Sequence, residues 1–259
     1  MAAYLLSSEQ IASFNRDGFV QAKGMFTVEE IDAMLTTVIT SQRISETTIS
    51  MPDSEGRASK ISLWSTLSPD ILGLVSRHPR LVDNIQMLMS EEPYHWHSKV
   101  MLKLAREGGA WEWHQDYGYW YYDGCPYPRL ISAMVALDGA NEANGCLRVL
   151  VGSHLLGRLD HGRVGNQRAA EQERLAAIAE LLPARPVVAD PGDVLFFHCN
   201  LLHGSGPNLS ECPRRAYICC YNAFSNVPVI GKGHGLAIPI DRCDDDALLR
   251  IPHESGIPA

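Results

Sequence analysis

A helical first third followed by a strand-rich barrel or sandwich is the fold class that this sequence predicts, and three observations predict it. Two capping boxes open amphipathic runs near the start, the apolar period changes to two from about residue 92, and Gly, Pro or Asn separates the short runs that follow.

The first helix is read from "SSEQIASFNRDGF", where Ser7 and Gln10 stand at capping-box spacing and Gly18 ends the run. "TVEEIDAMLTTVITSQ" repeats the device, with Thr27 and Glu30 ahead of Ile31, Met34 and Leu35. A third helix opens at Pro79 in "HPRLVDNIQMLMS", with Leu81, Ile85 and Leu88 at helical spacing. Between the second and third, "SMPDSEGRASKIS" is polar and reads as a loop, and residues 46 to 60 are expected to order over a site when substrate binds.

The strands begin with "HSKVMLKLA", which alternates Val100, Leu102 and Leu104 against Lys99, Met101 and Lys103. "RLISAMVALD", "GCLRVLVGS", "RPVVAD", "DVLFFHC" and "RAYICCYNA" follow as short strands, interrupted by one helix in "NQRAAEQERLAAIAELL". The expected organisation is one domain over residues 1–259: a mainly helical flank at 1–91, a β core at 92–225 and an extension at 226–259.

Composition sets the class of partner. The 259 residues are 46% hydrophobic and 20% charged, enough for a sizeable core, and the net charge of -8 offers no basic patch for nucleic acid or an anionic membrane. A small-molecule substrate is the expected partner, with monomer and homodimer both open. "MAAYLLSSEQ" lacks a basic start and an apolar run, so the expected location is cytoplasmic. Seven cysteines without a CxxC pair point to reduced, buried thiols.

The chemistry starts in "EWHQDYGYWYYDG", residues 112–124, which combines six rings with His114, Asp116 and other charges. If this segment is a strand, His114 and Asp116 point to one face and aim an imidazole and a carboxylate at one point. The same letters fit a satisfied core histidine beside a solvated aspartate, so a third ligand is needed. His198 and His203 both compete for that place, and His203 is preferred because Gly204, Ser205 and Gly206 let a ligand approach closely. Two histidines and one carboxylate suit non-haem Fe(II) oxygen chemistry, and Arg214 is then matched to a carboxylate cosubstrate.

The ordered series "WHQD", "NGCLRVLVGSH", "PGDVLFFH", "LHGSGPN" and Arg214 resembles the phytanoyl-CoA dioxygenase family of Fe(II)/2-oxoglutarate oxygenases, which includes the ectoine hydroxylases. The resemblance implies a mainly β, double-stranded β-helix (jelly-roll, cupin-like) core with flanking helices. It implies His114, Asp116 and His203 as iron ligands, Arg214 with Ser205 on the distal carboxylate of 2-oxoglutarate, and His97 as a further cosubstrate contact. O2 is the oxidant, and Asp116 in the carboxylate position favours hydroxylation over halogenation.

For the substrate, Tyr119 and Trp120, with Tyr117, are expected to stand over the pocket, and electron-rich rings beside a carboxylate favour a cationic ligand. Ectoine hydroxylases also carry a tryptophan at the place of Trp120, but their upstream Gln-x-Arg is His97, Ser98 and Lys99 here. A fatty acyl-CoA is disfavoured because no long apolar lining is evident. Aminophosphonate oxygenases resemble the chain in family, so a substrate such as 2-(trimethylammonio)ethylphosphonate is the leading expectation, with Lys99, Arg129, Arg106 and Arg163 as candidates for the phosphonate; ectoine or another small metabolite is the alternative. A non-catalytic cupin-like binding protein would be signalled by a broken triad or a missing arginine, and both are intact.

Overall fold

The computed structural model describes residues 4–230 and 237–250. In chain order its first elements are α1 (Ser8–Asp17), β1 (Phe19–Ala22), α2 (Val28–Thr40), α3 (Gln42–Thr47), β2 (Ile49–Pro52), β3 (Ala58–Trp64), α4 (Ile71–Ser76) and α5 (Pro79–Met89). There follow β4 (Pro93–Lys103), β5 (Trp111–His114), α6 (Tyr117–Trp120), β6 (Leu130–Ala136), β7 (Leu147–Leu150), β8 (His161–Val164), β9 (Gln167–Ala170), α7 (Gln172–Leu181), β10 (Ala184–Val187), β11 (Val194–His198), β12 (His203–Ser205) and β13 (Arg214–Ala223).

Both capping boxes form: Ser7 and Gln10 close on each other at the start of α1, and Thr27 and Glu30 do so at α2. Gly18 ends α1 at φ 85°, a left-handed conformation that glycine adopts without strain. His78 caps α5, with Pro79 at the first helical position.

The core is a jelly roll of two antiparallel sheets. The larger runs β1-β11-β6-β13-β4-β3-β2, and the smaller runs β10-β7-β12-β5. Val135, Phe196, Tyr217 and Tyr221 pack outward from the larger sheet against helices α1 to α5. Alternate residues on its other face, including Met101, Met134 and Ile218, pack inward with Leu147 and Val149 of the smaller sheet. Both faces of the larger sheet are therefore buried, which a period of two permits only when each face has its own cover.

Two expectations change. The first third is not only helical, because β1 pairs with β11 and β3 pairs with β4, so it supplies strands to both ends of the larger sheet. Residues 46–60 are not a loop: β2 and β3 form a hairpin, Ile49 opposite Ile61 and Met51 opposite Ser59. The polar letters between them build its turn, where the Asp53 carboxylate accepts from the Glu55 and Arg57 N–H groups and Gly56 sits at φ 83°. On β4 the face carrying Lys99, Met101 and Lys103 is the inner face, while Val100 meets the helices. No helix among the described residues is long and apolar enough to cross a membrane.

Candidate metal centre

The centre begins with strand pairing. β12 lies between β5 and β7, and in its register His203 stands opposite His114, with ring centroids 4.2 Å apart. Each imidazole is oriented by a short local bond: His114 Nδ1–H donates to Glu112 O at 2.7 Å and His203 Nδ1–H to Leu201 O at 2.9 Å. Both Nε2 atoms are thereby left free to meet a cation.

Asp116 arrives by another route. β5 ends at His114, and Asp116 has helical dihedrals (φ -56°, ψ -38°) where α6 begins, so the shared strand face expected for the pair is not how they meet. The chain turns because Tyr117 N–H is taken by Cys199 O on the neighbouring segment, drawing the ligand turn toward the stretch that leads to His203. The result still converges: one ligand atom from each of His114, Asp116 and His203 lies within 4.8 Å of the others, and all three residues are buried.

Electrostatics suits a cation. Burial, and for His114 the nearby His203, holds both imidazoles below their usual pKa, hence neutral. Burial alone would raise the pKa of Asp116, but the charge of Lys99 overcomes it and keeps the carboxylate ionised, well below its usual range. Lys99 Nζ is 3.5 Å from Asp116 Oδ1. Two neutral imidazoles and a carboxylate, desolvated together with no closed fourth protein ligand among the described residues, fit an open-sided divalent iron site.

A cavity of about 540 Å³ opens beside this triad. Arg214 and Ser205 line it, and Arg214 is a buried guanidinium with no carboxylate in ion-pair range among the described residues; burial pushes its pKa down to about 10. It remains charged at neutral pH and fits an anionic cosubstrate. Lys103, absent from the sequence candidates, sits opposite Arg214 in the β4–β13 register and donates to Gly206 O. Burial, then Arg214, pushes its pKa down to about 6.

Of the other candidates, His97, Lys99, Tyr119 and Trp120 line the cavity. Trp120 stands edge-on to His97 at 5.5 Å, and Tyr119 edge-on to His114 at 5.7 Å. Tyr117 does not reach it: its hydroxyl donates to Cys125 O in the inter-sheet core, because a helical turn places it away from Tyr119. Arg129 does not border the cavity and is paired with Glu91 at 3.2 Å and Ser225 at 2.9 Å. Arg106 pairs with Glu211, and neither it nor Arg163 borders the cavity. His198 packs beside His154 in a separate groove. Met51, Ile61, Leu63, Met101 and Trp111 give the cavity more apolar lining than the sequence suggested.

Sequence reasoning also passed over Gln115, whose side chain is fully buried between the two ligand positions. Its amide donates to Gly157 O and Asn200 O, both at 2.8 Å, and accepts from Leu159 N–H at 2.7 Å. Its own N–H is held by His161 Nε2, and the His161 ring lies so close to Gly118 that an added Cβ would come within 2.2 Å of it. Tyr119 Oη donates to Arg168 O at 2.7 Å. These bonds fasten the β8–β9 hairpin to the ligand turn and bring Asn166 and Arg168 to the cavity mouth.

An antiparallel jelly roll carrying two histidines, one carboxylate and a buried arginine defines the class of non-haem iron, 2-oxoacid-dependent oxygenases. The family model for phytanoyl-CoA dioxygenase (PhyH) matches residues 14–216, and the chain belongs to that family. It is 34% identical over 241 residues to an ectoine dioxygenase of Bordetella parapertussis, covering 85% of this chain and 77% of the relative. Two structures of EctD from S. alaskensis superpose with a TM-score of 0.73, each covering 92% of this chain and 88% of the other: one with bound Fe at 26% identity, and one with 2-oxoglutarate and 5-hydroxyectoine at 25%. The chain is a dioxygenase that uses Fe(II), 2-oxoglutarate and O2.

Gln115→Leu fills the same space but strands two buried backbone groups, Asn200 O and Leu159 N–H, so it is expected to lower folding stability by about 2 kcal/mol or more, read as a reduced urea midpoint. An unchanged midpoint would mean that water or rearrangement satisfies those groups.

Proposed function

We propose that this dioxygenase hydroxylates a C–H bond of a compact zwitterionic metabolite of the ectoine kind, with His114, Asp116 and His203 holding the iron and Arg214 with Ser205 holding the distal carboxylate of 2-oxoglutarate. The observation that carries the substrate reading is the pairing, in one cavity beside Asp116, of the largely buried ammonium of Lys99 with the rings of Tyr119 and Trp120. Once a dication shares the charge of Asp116, Lys99 is left to attract a carboxylate, while the rings suit a delocalised cation. Similarity to ectoine dioxygenases supports the same substrate class.

The aminophosphonate reading gives way at this point. It calls for a cluster of basic groups, and of Lys99, Arg106, Arg129 and Arg163 only Lys99 borders the cavity. A monocarboxylate needs no more than one such group.

When bound, the iron supplies the O2 chemistry that converts 2-oxoglutarate to succinate and CO2 and places one oxygen atom on the substrate carbon. The protein's share is positional. Arg214 offers two parallel N–H groups to the cosubstrate, Tyr119 and Trp120 set the substrate against the triad, and Met51, Leu63 and Trp111 limit water.

His114→Ala, Asp116→Ala and His203→Ala are each expected to abolish tight Fe(II) binding in an anaerobic titration, whereas His198→Ala retains it; the reverse pattern would overturn the ligand assignment. Arg214→Ala should weaken 2-oxoglutarate by roughly 30-fold to several thousand-fold, the consequence of about 2–5 kcal/mol lost from a buried charge pair. Unchanged affinity would remove Arg214 as the anchor. For the substrate, succinate release is expected to rise more with ectoine than with 2-(trimethylammonio)ethylphosphonate, and Trp120→Leu should weaken the better substrate roughly two- to thirty-fold. Greater stimulation by the phosphonate would reverse the substrate choice.

A further inference from the structure

We propose that Ser132 is a positioning residue that makes Asp116 a one-oxygen ligand, by holding Oδ2 away from the metal and leaving Oδ1 to face it. The inference rests on the reading of Asp116 as an iron ligand and concerns what fixes its carboxylate.

Strand pairing and a carbonyl bond fix His114 and His203, but Asp116 lies beyond the end of β5 and has neither constraint. Although it opens α6, its carboxylate makes no capping bond there. Its two oxygens are held from the opposite sheet. Ser132 Oγ donates to Oδ2 at 3.2 Å, while Oδ1 is 3.8 Å from His114 Nε2 and 3.5 Å from Lys99 Nζ. Oδ1 is thus the oxygen turned toward the His114 imidazole.

Ser132 is itself well placed for the task. It is fully buried at the middle of β6, in one cross-strand row with Cys220 of β13 and His97 of β4. That row is inward by alternation, since Ser132, Cys220 and His97 each stand two residues from inner-face Met134, Ile218 and Lys99; a β-bulge follows it, where Tyr221 pairs with His95 and Trp96 is the extra residue. Cys220 Sγ is 3.3 Å from Ser132 Oγ. The serine has one proton, and the carboxylate is its stronger acceptor, so the thiol donates to the serine and the serine donates to Asp116. The direction of the chain Cys220 to Ser132 to Asp116 is therefore set.

The consequence lies in coordination. A carboxylate free to rotate can bind a cation through both oxygens, and the second would take a position that the chelating 2-oxoacid or O2 requires. Occupying Oδ2 with a hydroxyl keeps that position open. Hydrogen bonds of this kind to metal ligands are worth about 10–100-fold in metal affinity.

Ser132→Ala is the test, with Ser132→Thr as the variant that restores a hydroxyl and Ser76→Ala as a control. Ser76 is equally buried, but it bonds Tyr217 and Ser98 on the helix side of the sheet. The expected result is that Ser132→Ala weakens Co(II) binding about 10–100-fold and alters the visible absorption of the Co(II) form. Ser132→Thr should restore both, and Ser76→Ala should change only the unfolding midpoint. Wild-type Co(II) affinity and spectrum in Ser132→Ala would overturn the proposal, as would the same spectral change in Ser76→Ala. If Asp116→Ala loses metal while Ser132→Ala matches wild type, this inference alone fails; if Asp116→Ala keeps full metal affinity, the ligand reading fails with it.

Discussion

The antiparallel register that sets His203 opposite His114 is the constraint on which the centre depends. β12 is only three residues long, yet it is held on both sides, by β5 and by β7, so its single histidine has little freedom. With both imidazoles fixed by strand pairing and by their own carbonyl bonds, the remaining ligand needs only to be brought near. The turn at Gln115 does this with bonds to two other segments, because the strand that would have carried Asp116 has already ended.

The larger sheet supplies the floor. Its outer face is closed by helices and its inner face looks across to the smaller sheet, so a polar residue on the inner face of β4, β6 or β13 is desolvated wherever it falls. Lys99, Lys103, Ser132 and Arg214 all sit in such positions and are all buried or nearly so. A buried cation is costly unless an anion answers it. Lys99 has Asp116, whereas Arg214 and Lys103 stand side by side, and the pKa of each is pushed down by that burial. Folding has thus prepared a charged guanidinium, Arg214, on the cavity wall together with an ionised carboxylate and neutral imidazoles, while Lys103, its pKa pushed down to about 6, is mostly neutral at neutral pH. In the proposed function, an anionic cosubstrate and a divalent metal would answer both.

The mouth is built from two hairpins of different origin. β2–β3 extends the larger sheet and contributes Met51, Ile61 and Leu63, while β8–β9 stands apart and is tied down through Gln115, His161 and Tyr119. The apolar rim and the polar floor divide the labour of excluding water and orienting a charged molecule.

Local signals carried much of this in the sequence. The caps at Ser7 and Thr27 depend on residues a turn apart, and the short strands declare themselves through alternation and punctuation. The small residues after His203 separated it from His198 before any contact was known, and the tertiary structure gathers His203 with His114 and Asp116 while His198 faces another groove. Other features were decided only by long-range packing. Residues 50–62 look like a polar loop because the turn is polar, and only the pairing of β2 with β3 and of β3 with β4 shows the flanking residues to be strands. Tyr117 and Tyr119 are alike in sequence, but one helical turn sends the first into the core and the second to the cavity. Arg129 is as basic as Lys99 but is paired with Glu91 outside the cavity. The inner face of β4 was likewise unreadable, because both faces are buried and hydrophobicity no longer distinguishes them; which one looks onto the cavity is fixed by the strands and helices that cover it, and those come from distant parts of the chain.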